Sequence, residues 1–378
     1  MELNLEYSSV FFRMRGINAL LVVGARPQFI KSAPLIKEIL SSTSKISLTI
    51  IHSGQHYDHE MSEIFFSQLK IPRPKLNLQT GSSSHASQTT AIMVPLEALM
   101  SKMKPDVVIA PGDTNTTLGT ALAAAKCGLR VAHLEAGLRS GDMSMPEEIN
   151  RRLTDHCSSL LFAPTRTAVR NLTSEGLTEY TRFTGDTMVD ALHFTLPVVA
   201  SKEKNVLERL GVLRRNYLMV TLHRPANVDD PAALSKIMNN LRRIDKSIPV
   251  LFPVHPRTRK QFSIANFKLD KTQIRLVPPQ GYVENLALLR NAKCLLTDSG
   301  GMQKEAFLLD VPCITLRSTT EWPETLVDGR NRLADLKTML PLVNDAISSD
   351  KRPNNRQLNP FGNGRAAHKI RLILEEEV

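Results

Sequence analysis

The sequence predicts two doubly wound α/β domains that face each other across a cleft. Apolar segments of strand length alternate with helical patterns along the whole chain, as in parallel sheets whose two faces are covered by helices. These segments form two series, and polar or glycine-bearing residues follow most of them. A length of 378 residues suits two domains of ordinary size.

The first series predicts a parallel sheet in the N-terminal half of the chain. Its members are almost continuously apolar, which is typical of strands buried on both faces. They lie at 17–23, 46–51, 106–111, 130–135 and 159–165. The alanine-rich stretch 118–127 has the pattern of an amphipathic helix between two of these strands. We expect residues 17–186 to form a first Rossmann-like domain, preceded by an extension at 1–16.

The second series predicts a second sheet after a polar, helical stretch at 187–215. Its members lie at 217–223, 249–255, 274–278, 294–298 and 312–316. We expect them to form a second Rossmann-like domain at 187–363. A final helix at 364–378 follows, and the pattern leaves open whether it stays with the second domain or returns to the first.

The composition predicts a soluble globular protein of the cytoplasm. Hydrophobic residues make up 42% of the chain and charged residues 22%. No apolar run reaches the roughly 20 residues of a membrane helix, and residues 1–16 make a poor signal peptide. Four widely spaced cysteines form no Cys-x-x-Cys pair, which favours buried free thiols over disulfides or metal ligands. They are Cys127, Cys157, Cys294 and Cys313.

The formal net charge of +11 invites a nucleic-acid partner. However, the basic residues are dense only between Lys351 and Arg371, aromatic residues make up 5%, and no nucleic-acid-binding motif is present. We therefore expect an anionic small molecule as the partner, with neither nucleic acid nor membrane.

Glycine-bearing turns at two predicted strand ends suggest an anion site. Ligands of doubly wound sheets bind beyond the carboxyl ends of the strands, and helix N-termini there favour negative charge. The turns Gly24-Ala25-Arg26 and Ser299-Gly300-Gly301 lead from strand into helix. Either alone would also fit an ordinary strand-to-helix turn. Together with Lys31, His223 and Arg224 they favour a clamp for a diphosphate.

Three carboxylates of the first domain are candidates for proton transfer. Asp113 and Glu135 end predicted strands, and Glu147 opens a helix after a proline. Asp113 and Glu147 would also suit helix capping and dipole contacts. Acids that leave buried strands need a partner or a ligand, and paired acids suit proton transfer. We expect Asp142 and Glu148 to be surface or capping residues.

The histidines of the first domain do not predict a metal site. His52, His56 and His59 lack the spacing of zinc ligands, and no cysteine joins them. Trp322, the single tryptophan, fits either a core position or a stacking platform.

Seven motifs resemble one family. They are GARPQFIK, GDTNTTL, HLEAGLRSGDMSMPEEINR, TLHRPANVDD, HPRTR, TDSGGMQKEA and TTEWPET. In this order and spacing they are similar to the non-hydrolysing UDP-N-acetylglucosamine 2-epimerases, and the similarity extends from residue 17 to about residue 370.

The resemblance implies a glycosyltransferase-B-like fold, usually homodimeric, that interconverts UDP-N-acetylglucosamine and UDP-N-acetylmannosamine. The reaction eliminates UDP to give 2-acetamidoglucal and adds it back, with no nicotinamide, metal or other cofactor. The resemblance implies acid, base and UDP-contacting roles for four residues in the reaction: Asp113, Glu135, Glu147 and His223. It implies substrate binding by a second set: Arg26, Lys31, Gln280, Ser299, Gly300, Gly301 and Glu305.

Departures from the family pattern leave the sugar less certain than the reaction. Gln28 stands where many members have glutamate, Lys304 where they have an acid, and Trp322 where many have arginine. The short loop 141–148 and the form of the motif around Lys304 also resemble relatives that act on UDP-2,3-diacetamido-2,3-dideoxyglucuronate. That sugar is one alternative, and sugar transfer by a glycosyltransferase of the same fold is another.

Overall fold

The computed structural model describes residues 16–55, 68–264, 272–349 and 359–378. The extension at 1–15 and two of the three histidines discussed above, His56 and His59, lie outside these ranges. No helix within them is long and apolar enough to cross a membrane. Cys294 and Cys313 are buried free thiols, whereas Cys127 and Cys157 are free but only partly buried.

The first lobe contains a seven-stranded parallel sheet. Its strands are β1 Ile17–Val23, β2 Ile46–His52, β3 Leu76–Asn77, β4 Val107–Pro111, β5 Arg130–Leu134, β6 Leu160–Ala163 and β7 Thr181–Phe183. Its helices are α1 Arg26–Ile39, α2 His85–Met103, α3 Asn115–Lys126, α4 Pro146–Cys157 and α5 Arg166–Ser174, with a 3₁₀ turn at Thr178–Tyr180. The order β3-β2-β1-β4-β5-β6-β7 reverses direction between β1 and β4.

The second lobe contains a six-stranded parallel sheet. A long helix, α6 Thr187–Leu210, leads into it. The strands are β8 Leu218–Thr221, β9 Val250–Pro253, β10 Arg275–Val277, β11 Cys294–Thr297, β12 Cys313–Thr315 and β13 Asn331–Leu333. The helices are α7 Pro225–Val228, α8 Pro231–Ile244, α9 Pro256–Ile264, α10 Tyr282–Asn291, α11 Gly300–Leu308 and α12 Met339–Ser348, with a 3₁₀ turn at Pro323–Leu326. The order β10-β9-β8-β11-β12-β13 reverses between β8 and β11.

The predicted fold class is confirmed, since both sheets are parallel and covered by helices. Central strands such as β1 are buried along most of their length, because helices pack on both of their faces. Ligands of such sheets bind at the points where strand order reverses. The two reversals therefore place one candidate binding edge in each lobe.

Helices connect the two lobes. Helix α6 packs against α1 of the first lobe and α10 of the second. The last helix, α13 Ala366–Glu377, packs against α1 and α6. Glu38 of α1 lies 3.4 Å from the guanidinium of Arg371 on α13, and Arg182 pairs with Glu377 at 2.5 Å. The chain therefore ends on the first lobe after completing the second sheet.

Candidate active site

The candidate site lies between the lobes, at the strand ends beside the two reversals. Arg26 Nη1 donates to the carbonyl oxygen of Gln280 at 3.0 Å. Arg224 Nη1 lies 3.5 Å from Glu147 Oε2. Lys304 Nζ lies 2.9 Å from Glu135 Oε1. Each contact joins a group of the first lobe to one of the second, so the chemistry-bearing residues meet across the cleft.

Glu135 is the most enclosed of the three predicted acids. Its backbone is left-handed, with φ +66°, a strained conformation for a non-glycine residue. The turn is held because the next amide, of Ala136, donates to the carbonyl oxygen of Phe162 at 3.1 Å. The carboxylate contacts the ammonium groups of Lys31 and Lys304. Burial opposes its ionisation, but Lys304 and Lys31 outweigh burial and hold the pKa of Glu135 below its ordinary value.

Asp113 and Glu147 are more open to the cleft. Their side chains are 29% and 37% exposed. Asp113 accepts from Arg151 Nη1 at 2.7 Å, and its carbonyl oxygen accepts from Asn150 at 2.9 Å. Arg151, Asn150 and Glu147 all belong to α4, so one helix positions both acids. The cap of the following helix is Thr114 rather than Asp113, which removes the capping explanation for Asp113.

Glu148 is not a surface or capping residue, contrary to the sequence prediction. It is fully buried and accepts from the Ser140 amide and from Arg151 Nη2, both at 2.8 Å. Burial raises the pKa of Glu148, but the Ser140 amide and Arg151 outweigh burial and lower the pKa to about 2. The helical periodicity of buried and exposed positions along α4 could have predicted that Glu148 is buried, but not that Arg151 is its partner. Asp142 is partly exposed and accepts from the Ser144 amide at 3.0 Å.

The glycine turn of the first lobe does not offer its first amides to an anion. The amides of Gly24 and Ala25 donate to Gln28 Oε1 at 2.8 and 3.0 Å, and Gln28 Nε2 donates to the carbonyl oxygen of Pro111 at 2.8 Å. A glutamate at position 28 could accept from the two amides but could not donate to Pro111. The side chains of Arg26 and Lys31 therefore supply the positive charge at this edge.

In the second lobe, Asp298 organises the groups that face the cleft. It is buried and accepts from the amides of His223 and Arg224 at 3.1 and 2.9 Å. Its Oδ1 lies 2.9 Å from His223 Nδ1, which leaves the opposite edge of the ring for a ligand. Sequence analysis did not single out Asp298, although its position at the end of β11 was a usable signal.

The turn after Asp298 requires glycine at its first helical position. Ser299 caps α11, and a Cβ on Gly300 would lie 2.0 Å from Glu321 Oε1. Glu321 is buried and paired with Arg317 at 2.8 Å, so it cannot move aside cheaply. A Cβ on Gly301 would meet no atom closer than 4.0 Å. The backbone at Gly301 is thus open to close approach by a ligand.

Glu305 and Gln280 lie behind these groups. Glu305 is buried, and burial raises its pKa to about 7 against the opposing influence of Arg26 and Lys304. The Gln280 side chain contacts Arg209 and Pro278. Its backbone carbonyl contacts the first lobe through Arg26.

Two aromatic residues, His52 and Trp322, make contacts within the protein. His52 stacks on Phe29 at 5.2 Å between ring centroids and accepts from the Gly54 amide at 2.7 Å. Trp322 is buried, packs edge-to-face on Phe361, and carries Lys304 Nζ at 3.8 Å from its ring centroid. In the four described ranges no three His, Cys, Asp or Glu side chains are arranged to hold a metal ion.

Comparison with known proteins identifies the family. A family model described as UDP-N-acetylglucosamine 2-epimerase matches residues 38–375. The UDP-N-acetylglucosamine 2-epimerase of Methanocaldococcus jannaschii is 44% identical over 94% of this chain and 98% of its own length. The UDP-2,3-diacetamido-2,3-dideoxy-D-glucuronate 2-epimerase of Pseudomonas aeruginosa is 40% identical over 93% of this chain and 97% of its own length.

A solved structure extends the agreement to the fold. The crystal structure of the M. jannaschii UDP-GlcNAc 2-epimerase with UDP-GlcNAc and UDP matches with a TM-score of 0.88 at 42% identity, over 95% of this chain and 100% of that one. The fold is therefore the glycosyltransferase-B-like arrangement of two parallel sheets. Sequence and fold agree, and the chain belongs to the UDP-N-acetylglucosamine 2-epimerase family.

Proposed function

We propose that the protein interconverts UDP-N-acetylglucosamine and UDP-N-acetylmannosamine without hydrolysis. The observation that carries the proposal is the meeting of two partly exposed carboxylates, Asp113 and Glu147, with cationic and helix-terminal groups of both lobes in one cleft. Relatives that carry this activity in their names cover nearly the whole chain.

The proposed reaction uses the carboxylates for proton exchange at C2. One carboxylate takes the C2 proton while the C1–O bond breaks, and the bonding pair leaves with UDP as the C1–C2 double bond forms. UDP then adds back at C1 while a second group, in its protonated carboxylic acid form, gives its proton to C2 from the opposite face. Asp113 and Glu147 are more open to the cleft, whereas Glu135, which two ammonium groups hold as an anion, is suited to accept a proton rather than to donate one.

The proposed UDP contacts neutralise the departing charge. Arg26 and Lys31 approach from the first lobe, and His223 with the Ser299–Gly301 turn approaches from the second. Fixed donors aimed at a developing anion stabilise the transition state more than groups that must reorient. We assign Glu305 to the ribose hydroxyls and, through its backbone, Gln280 to the positioning of Arg26.

An uncharged N-acetylhexosamine suits the cleft better than a uronate. Lys304 resembles a residue of the uronate enzymes, but here it is fully buried and already neutralised by Glu135 and Asp186. Arg317 is paired with Glu321. These cations therefore offer little free charge to a sugar carboxylate, which supports UDP-N-acetylglucosamine over UDP-2,3-diacetamido-2,3-dideoxyglucuronate.

Solvent exchange tests the reaction directly. Incubation with UDP-N-acetylglucosamine in deuterium oxide should place deuterium at C2 of both epimers, because C2 must be deprotonated and reprotonated. Proton NMR measures the loss of the C2 proton signal. The diacetamido-uronate should exchange at least about tenfold more slowly under the same conditions. An unlabelled sugar would contradict epimerisation, and free N-acetylmannosamine would indicate a hydrolysing enzyme instead.

The pH dependence of substrate binding tests Glu305. Ribose hydroxyls donate best to an ionised carboxylate, so the Kd of UDP-N-acetylglucosamine should rise as pH falls through the Glu305 pKa of about 7. We expect a change of about tenfold. The diphosphate of this ligand is a diester and does not titrate in that range. Glu305→Gln should bind weakly and without this pH dependence in calorimetric titrations, whereas Glu97→Gln on exposed α2 should behave like the wild type. A pH-independent wild type would contradict the assignment.

We further propose a cytoplasmic homodimer that supplies a polysaccharide pathway. The family resemblance supports this assignment, and the four free thiols fit a reducing compartment.

A further inference from the structure

Lys304 is a fully buried cation at the boundary between the lobes. Its side chain is 0% exposed. The ammonium lies 2.9 Å from Glu135 Oε1, contacts Asp186, and sits 3.8 Å from the centroid of the Trp322 ring. An unpaired ammonium would be costly in such surroundings, and the two carboxylates supply its counter-charges.

The charges around Glu135 come from several elements. Those that face it, directly or through its lysine partners, are Lys31 from α1, Lys304 from α11, Asp186 at the cap of α6, Asp113 after β4, and Glu305 from α11. Three carboxylates of this group, Glu135, Asp186 and Glu305, are buried, and they face the two ammonium groups of Lys31 and Lys304. Glu135 contacts both lysines, whereas Asp186 contacts only Lys304 of the two. Loss of Lys304 would leave Glu135 with Lys31 as its single cation.

The position of Lys304 connects this charge cluster to the proposed nucleotide site. Lys304 follows the Ser299–Gly301 turn on the same helix, α11. Glu135 belongs to the opposite lobe. We propose that Lys304 is a positioning residue for epimerisation, which holds the Glu135 carboxylate in place when α11 and its bound nucleotide lie against the first lobe. The inference rests on the proposed function, because it assigns Lys304 an effect on that reaction.

A purely structural ion pair would behave differently. It would contribute to folding without a specific effect on turnover. A positioning residue instead affects turnover through Glu135, with little effect on UDP affinity. The two roles are therefore separable by kinetics.

The variants are chosen so that folding does not obscure the result. Lys304→Met removes the cation. The double variant Lys304→Met/Asp186→Asn also removes the carboxylate that would be left unpaired, and asparagine remains a good helix cap at position 186. Lys304→Arg keeps the charge. Lys236→Met makes the same change at an exposed lysine of α8 and is the matched control.

We expect the double variant to fold, to bind UDP within about threefold of the wild type, and to lose kcat on the order of 10²-fold, as misplaced catalytic groups do. Lys304→Arg should recover much of kcat, and Lys236→Met should match the wild type. A kcat within about threefold of the wild type would overturn the positioning role.

Trp322 allows the ion cluster to be tested without turnover. It is the only tryptophan in the sequence, so its emission reports on the ammonium above its ring. Lys304→Met should change that emission and Lys236→Met should not; unchanged emission would overturn the contact. A wild type that epimerises nothing would refute the proposed function instead, while the emission change would still test the cluster.

Discussion

Replacing Asp113 by asparagine should lower kcat for epimerisation by about 10³-fold, the loss expected when a general acid or base is removed. The asparagine oxygen can still accept from Arg151, which now donates to Asp113 Oδ2 at 2.7 Å, so the local structure should persist. UDP affinity should change little because Asp113 is assigned to the sugar. Proton NMR of UDP-N-acetylglucosamine turnover measures the effect.

The control for Asp113→Asn is Asp345→Asn. Asp345 belongs to exposed α12 and pairs with Arg332, so its neutralisation should leave kcat unchanged. If Asp113→Asn retained more than about a tenth of wild-type kcat, proton transfer by Asp113 would be excluded.

Replacing Glu148 by alanine should cost about 3–5 kcal/mol of unfolding free energy, because it removes the buried one of the two carboxylates that pair with a buried cation. Arg151 is almost fully buried and is held by Glu148 at 2.8 Å and by Asp113 at 2.7 Å. Urea denaturation measures the loss. Glu97→Ala on exposed α2 should cost less than about 0.5 kcal/mol. A similarly small loss in Glu148→Ala would contradict the buried pair.

The stabilisation by Glu148 should also depend on pH. Its pKa is about 2 in the folded protein and near 4.5 in the unfolded chain. A lowered folded pKa gives stabilisation that is complete above the unfolded pKa and is lost as pH falls toward the folded one. The difference between wild type and Glu148→Gln should therefore narrow between pH 4.5 and 2.

Local pattern was enough to predict the central strands, because an apolar run buried on both faces is visible in a few consecutive residues. Strands β3, β7 and β13 were not predicted. They have two or three residues each and lie at or beside sheet edges, where burial leaves little periodic signal. Polar residues tend to follow strands, and this tendency also predicted the two sheet edges, one in each lobe, at which Asp113 and His223 lie.

The sequence by itself thus determined the central strands of both sheets, the family resemblance and which polar residues follow those strands. Only the tertiary structure decided which charged and polar groups pair with other groups of the protein. Glu148 pairs with Arg151 one turn away, and Lys304 pairs with Glu135 from the other lobe. The amides of Gly24 and Ala25, which were expected to bind an anion, donate to the side chain of Gln28 instead. Strand formation depends on neighbours along the chain, whereas the pairing of a buried charge depends on which elements the fold brings within about 4 Å, and that distance is set by the packing of both lobes.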